Sequence, residues 1–426
     1  MSRAKSKRSR RSPRPWAIPP GLLVLQEPFE GYQVLEETQN ETGVLLWQSL
    51  RDVELWTAAE PRERAVLFAD GALHARQAWI EEQVQDGAMR RILESLAVVL
   101  ERPETLTATE VADLCEEVST WASDSGLPRT ALAFAQRCAV AAPEAAGAAY
   151  LVALLARRNA DYKRADTWFR RCLALARRHK DWKHYGLAQI GIANLHMQRG
   201  DGPSARARLM QALRAARRHA LWGVRAPAFH DLFCIAATSG DIQEAEMYAK
   251  AAYRSYGRRH PKLPALAHDV ARFWMQQKHY RTALAVFRAV LGPIHRPPER
   301  LLVLSSIAQA AAGAGEVLMF EQAWYEVWEV VEASDDRERV AEALINLARA
   351  AALLGERRRV ERAASQALGI ALRRGEAQER IAAEALLGTG WETRAPHGEA
   401  SAEDTPVRSA STARLARELV VALDDF

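Results

Sequence analysis

The chain has 426 residues, 49% of them apolar and 26% charged, with a formal net charge of +5. That balance favours a soluble, mostly helical protein, long enough for two or three ordinary domains or for one extended array. It excludes a helical membrane protein, because no stretch approaches the roughly 20 uninterrupted apolar residues of a spanning helix.

Residues 1–14 hold seven cations (Arg3, Lys5, Lys7, Arg8, Arg10, Arg11 and Arg14) and no acid, so the remainder of the chain is slightly acidic. The high isoelectric point therefore belongs to the tail, and residues 1–15 are expected to be a disordered basic segment able to touch phosphates non-specifically. The alternative is the start of an export signal. Against it, the apolar run Trp16–Leu25 is short, is broken by Pro19-Pro20, and has no small-x-small site after it. Residues 16–105 read as an N-terminal helical region, either a cap or divergent repeats. Within it Glu41–Ala58 carries a helical apolar pattern, Pro61 opens a second helix running through Trp79 to Val84, and Met89–Leu100 forms a third before Pro103. Thr107-Ala-Thr-Glu110 is a capping box at the head of the repeats.

From there an alanine recurs after short polar turns, at Ala131, Ala165, Ala205, Ala245, Ala283, Ala323 and Ala363, spaced by 34, 40, 40, 38, 40 and 40 residues. Gly200-Asp201 precedes Ala205, and Gly240-Asp241 precedes Ala245. Asn159-Ala-Asp161-Tyr162 leads to Ala165. Small or apolar residues follow four, seven and eight positions after the anchor, one face of a helix, and a second periodic run such as Leu187–Leu195 lies upstream. Glycine accepts the left-handed turn, and Asp caps the helix that follows. The unit is helix, tight turn, helix, loop.

This pattern resembles the tetratricopeptide repeat (TPR) across residues 106–388, about seven units, and Pro143 falls where that family often places proline. The resemblance implies an all-α fold, a right-handed α-α superhelix closed by the N-terminal helical region and by a terminal helix over residues 376–388. The 40-residue period is similar to the longer variant of bacterial sensory and regulatory members. The units at Ala323 and Ala363 lack the Asp-Tyr pair and are assigned by spacing. Residues 389–410, rich in Gly, Pro, Ser, Thr and acids, are expected to be a flexible linker to a helix over 411–426. That helix carries Leu415, Leu419, Val420 and Leu423. It either packs on its own chain or docks on a partner or a second copy.

Carrying the family's groove positions over by the repeat register implies Tyr150, Arg157, Asn194, Gln198, His230, His268, Arg272 and Gln276 as ligand-facing. The carboxylate clamp of chaperone-tail binders is not implied, because Ile190 stands where that clamp has Lys. Three second helices end in the same signature: Arg177-Arg178-His179, Arg217-Arg218-His219 and Arg258-Arg259-His260. These arginines are either cations meeting helix C-terminal carbonyls or a basic ridge for an acidic segment or phosphate backbone.

His230-Asp231 and His268-Asp269 have the His-Asp core of HD-type metal-dependent phosphohydrolases. Their separation of 38 residues makes them a repeat echo instead, and metal binding would need further ligands from other helices. Cys115, Cys138, Cys172 and Cys234 lack zinc-ligand spacing and read as core cysteines of a reducing cytoplasm. With no phosphate loop, His-Glu-x-x-His or Gly-x-Ser-x-Gly, neither catalysis, metal nor cofactor is expected.

The functional expectation is a cytoplasmic scaffold whose concave groove binds a protein or peptide. A ligand-responsive regulator and a nucleic-acid-associated protein are the alternatives. Where two helices of a unit cross at the anchor alanine, a larger side chain forces them apart. Ala205→Leu should therefore lower the unfolding free energy by about 1–3 kcal/mol. An unchanged melting temperature would contradict the helix-pair assignment.

Overall fold

A computed structural model of the chain describes residues 31–333, 339–388 and 410–426. The expected basic tail lies outside the described residues, as does the linker up to Ala410, which opens the last helix. Among the described residues every regular element is helical, and no helix is long and apolar enough to cross a membrane.

The chain begins with α1 (Tyr32–Glu37), α2 (Glu41–Ala58), a 3-10 segment (Pro61–Val66), α3 (Ala72–Gln83) and α4 (Gly87–Glu101). Seven pairs follow. They are α5 (Ala108–Asp124) with α6 (Pro128–Ala141), α7 (Ala146–Arg158) with α8 (Tyr162–His179), and α9 (Trp182–Gln198) with α10 (Gly202–His219). Next come α11 (Trp222–Ser239) with α12 (Ile242–Tyr256), and α13 (Leu263–Gln276) with α14 (Tyr280–Leu291). The last two are α15 (Pro297–Ala314) with α16 (Val317–Ala333), and α17 (Val340–Leu353) with α18 (Arg357–Arg374). Then come α19 (Ala377–Gly388) and α20 (Ala410–Asp424). The chain divides into two compact units between Val224 and Arg225, within α11. In each unit the helix pairs are stacked, TPR-like repeats.

One backbone device closes all seven pairs. At Gly200, φ is +74°, the Asp201 amide donates to the His196 carbonyl at 2.9 Å, and Asp201 Oδ1 accepts from the Ser204 amide at 3.0 Å. The first bond satisfies an orphan carbonyl of one helix and the second an orphan amide of the next, so a reversal takes about three residues. The same six-residue backbone bond recurs at Leu127, Asp161, Asp241, His279, Glu316 and Glu356, with lengths of 2.8–3.0 Å. Ala160 and Lys278 take the left-handed conformation without being glycine, at φ +59° and +66°.

Four residues after the capping position comes the residue that donates the first helical bond. It is Ala131, Ala165, Ala205, Ala245 and Ala283 in the first five pairs, all fully buried. In the last two pairs it is Phe320 and Val360, which corrects the alanine spacing: Ala323 and Ala363 lie one helical turn further on. Seen from the turns, the step into the sixth pair is 37 residues, from Lys278 to Gly315. The larger anchor is accommodated because α16 lines up Phe320, Trp324 and Trp328. The Arg359 guanidinium lies over the first two rings and that of Arg362 lies over the third.

The N-terminal region caps the first pair. α6 has Leu127, without a capping side chain, before its first turn. Glu37 of α1 supplies the acceptors instead, taking the amides of Arg129 and Thr130, each at 2.8 Å. Arg137, only 4% exposed, pairs with Glu54 of α2 at 3.1 Å. The capping box at Thr107 and Glu110 forms as expected, with both backbone amides engaged. Pro61 opens only the 3-10 segment, and the helix restarts at Ala72 after Gly71 at φ +84°.

In the second unit α20 packs on its own chain. Leu415, Ala416, Leu419, Ala422 and Leu423 are buried, whereas Val420 is half-buried. Thr412 donates to Glu246 of α12 at 2.6 Å, and Tyr253 of α12 donates to the Glu418 carbonyl at 3.4 Å. Val270, Phe273 and Trp274 of α13 close around Leu415.

A side chain at φ > 0 is strained by about 1 kcal/mol relative to glycine. Ala160→Gly and Lys278→Gly should each raise the unfolding free energy by several tenths to about 1 kcal/mol, and Gly200→Ala should lower it by a similar amount. Denaturant midpoints measure both signs. A fall for the two glycine variants would contradict the turn geometry.

Candidate functional site

The first helices of successive pairs in the second unit, α11, α13, α15 and α17, carry a connected polar network. His230 of α11 places Nε2 2.9 Å from Asp269 Oδ2 of α13. The other carboxylate oxygen, Oδ1, lies 3.5 Å from His268 Nδ1. His268 is 6% exposed, and its Nε2 lies 3.2 Å from Ser306 Oγ of α15. Next to Ser306, Ser305 accepts from the Asn346 amide of α17 at 3.2 Å.

A second chain runs beside the first. Arg272 of α13 reaches over the intervening first helix to Glu342 of α17, with Nη1–Oε1 at 3.3 Å, and Arg339 holds Glu342 Oε2 at 3.0 Å. A bond between helices two pairs apart requires the first-helix face to be concave within this unit. The electrostatics agree. The Asp269 side chain keeps 34% exposure, yet burial is the largest single influence on its carboxyl. Arg349 of α17 is exposed, yet burial and the nearby Arg272 charge depress its pKa. Groups open to water but surrounded by protein are what a groove produces.

Burial pushes the Asp269 carboxyl up, but hydrogen bonds to His230 and His268, with their charges, outweigh it and hold it well below the usual carboxylate range. Burial opposes the charge of Arg339, and Glu342, Asp269 and Glu299 together reverse the balance. Arg349 differs. Its one hydrogen bond is a long one of 3.5 Å to Asn346 Oδ1, and no carboxylate pairs with it among the described residues.

Ser306, His268 and Asp269 have the connectivity of a nucleophile–base–acid relay. Ser306 is fully buried and donates to the Leu302 carbonyl at 2.9 Å, so no substrate reaches it. The arrangement is a polar staple between α13 and α15.

Four of the groove residues implied by the TPR resemblance fall on this unit. His230, His268 and Arg272 belong to the network, and Gln276 is exposed at the last position of α13. The two His-Asp pairs interact across repeats: His230 meets Asp269, not its neighbour Asp231.

The other four lie on the first unit. Tyr150 is a packing residue, its ring 6.0 Å from those of Phe169 and His184. Arg157 and Asn194 are half-buried, and Gln198 is exposed.

The arginine signature divides. Arg177 is half-buried, its guanidinium 5.3 Å from the Tyr185 ring, and Arg178 pairs with Glu144 at 2.9 Å. Arg217 and Arg218 are exposed in the last turn of α10. Arg258 and Arg259 are exposed as well, but they follow α12, which ends at Tyr256 before Gly257 at φ +76°. The third copy is thus a turn and not a helix end, so the three pairs do not occupy one structural position.

The sequence pattern missed Arg339, Glu342, Asn346 and Arg349, because a contact between residues 272 and 342 leaves no local signal. It also grouped Cys234 with three buried cysteines, although the i, i+4 spacing from His230 puts both on one face of α11.

No protein-family model matches the chain, and no curated protein matches it. Among solved structures it is similar to BtubC from P. vanneervenii, at 14% identity and a TM-score of 0.32, over 63% of this chain and 94% of that one. It is also similar to the APC/C hetero-tetramer Cut9-Hcn1, at 13% identity and 0.43, over 85% of this chain and 59% of that one. A third is a Rap protein complexed with competence and sporulation factor, at 12% and 0.36, over 82% and 95%. At these identities the fold assignment rests on the helix pairs themselves.

Because the folded pKa of Asp269 is depressed, its contribution to stability is complete above about pH 4 and is lost as pH falls through the lower folded value. Acidification from about pH 5 to about pH 3 should lower the melting temperature of the native chain more steeply than that of Asp269→Asn. Equal slopes would mean that the histidines do not hold the carboxylate.

Proposed function

We propose that the chain is a non-enzymatic scaffold whose second unit binds an acidic protein or peptide segment along the face formed by α11, α13, α15 and α17. The observation that carries this reading is Arg349: a guanidinium in a concave, partly desolvated setting, beside Arg272, with a single long hydrogen bond. A desolvated cation beside a second cation, with Glu342 only partly offsetting both, is unfavourable, and a ligand carboxylate relieves both terms with short charge-assisted bonds. Arg272 and Arg349 then fix the ligand's orientation, and the exposed polar side chain of Gln276 gives a further hydrogen-bonding contact.

Fluorescence anisotropy of labelled decapeptides tests this, comparing an Asp/Glu-rich set with a neutral set in which Asn and Gln replace Asp and Glu. The acidic set should bind preferentially and weaken with added salt. Arg349→Ala should weaken it about tenfold, the effect of one charge-assisted hydrogen bond, while Arg217→Ala/Arg218→Ala leaves it unchanged. Equal binding of both sets, or acidic binding insensitive to Arg349→Ala, overturns the reading.

A further inference from the structure

We propose that His230, Cys234 and Asp269 form a binding site for one zinc ion. The proposal goes beyond the peptide-binding reading and does not depend on it.

The three donors are an imidazole nitrogen, a sulfur and a carboxylate oxygen. Among the described residues they form the one group of His, Cys, Asp or Glu with three donor atoms close enough to share a metal ion, all within 4.8 Å of one another. His230 and Cys234 sit one turn apart on the same face of α11, and Asp269 comes to them from α13. Tetrahedral zinc, with bonds of about 2.0–2.3 Å, separates its ligand atoms by about 3.3–3.7 Å. His230 Nε2 and Asp269 Oδ2, at 2.9 Å, need only part slightly to admit the ion between them. The mixed nitrogen, sulfur and oxygen set suits zinc better than calcium or magnesium, which take oxygen ligands.

Three features separate this cluster from an ordinary hydrogen-bonded pair. Cys234 is half-buried, whereas Cys115, Cys138 and Cys172 are buried. The two oxygens of Asp269 face different partners: Oδ2 faces His230, and Oδ1 is held by His268, which is itself tied to Ser306. A ligating carboxylate oriented by a second hydrogen-bond partner is the usual support of a metal site. The charge also balances. Burial, Asp269 and Asp231 push the Cys234 thiol up in the absence of an ion, and a dication offsets them: with the thiolate formed, its proton passing to solvent, three negative charges face the dication and the nearby Arg272. Three protein ligands leave a fourth position for water or a ligand atom.

The full-length protein, stripped with chelator, is titrated with Co²⁺ as the spectroscopic probe and then with Zn²⁺. The expected result is one equivalent bound, with a near-ultraviolet thiolate-to-cobalt charge-transfer band and visible bands of tetrahedral intensity, all displaced by Zn²⁺. Cys234→Ser should abolish the charge-transfer band. His268→Gln should keep the band but weaken affinity about 10–100-fold, as for loss of an orienting partner. If Cys234→Ser fails to fold, Cys234→Ala replaces it, and zinc should raise the melting temperature of the native chain but not of that variant. A Co²⁺ spectrum without thiolate character, a band that survives removal of Cys234, or no binding at all overturns the proposal.

Discussion

The structure depends on one constraint: each helix of a pair must end, reverse and restart within about three residues without leaving a backbone polar group unsatisfied. A left-handed residue, a six-residue amide-to-carbonyl bond and a capping side chain meet that constraint together. Asp161, Asp201 and Asp241 supply the cap and make it self-sufficient. At Leu127, where the turn lacks a capping side chain, Glu37 of α1 supplies the acceptors. A tight turn forces the paired helices together at the next buried position, which is why alanine fills it in five of seven pairs.

Once the turns fix the pairs, the first helices of the second unit lie side by side and their polar residues meet. Asp269 is the centre of this meeting, shared between His230 and His268 from repeat-equivalent positions. The duplicated His-Asp pair is therefore both a repeat echo and the origin of a contact. Each copy alone would leave its histidine on a groove wall, but stacking puts the second copy's carboxylate between the two rings. Curvature adds the long-range pair of Arg272 and Glu342, and among the described residues it leaves Arg349 without a carboxylate at bonding distance.

The signals differ in how directly they report on structure. Helix pairs, turn positions, the capping box and the α2 boundaries were legible because each depends on residues within one turn of the chain. The 3-10 segment at Pro61 was not, because proline opens either helix type and Gly71 decided where the helix restarts. The last two anchors were misplaced by one turn because Phe320 and Val360 break the alanine pattern while the turns persist. Of the arginine signature, the copies at the ends of α8 and α10 keep their helical positions. The third does not, because Gly257 ends α12 before it.

The amino-acid sequence by itself determined an all-helical repeat and the place of its first five reversals, since both are set by local backbone chemistry and a period of about 40 residues. Tertiary structure decided which polar side chains share a site. His230 joins Asp269 and not its neighbour Asp231, Arg272 joins Glu342 across an intervening helix, and α20 settles against α12, α13 and α14. The physical reason is range. Caps and turns act over three to six residues of chain, whereas the groove brings together residues 38 to 70 apart, whose proximity follows only from how the pairs stack.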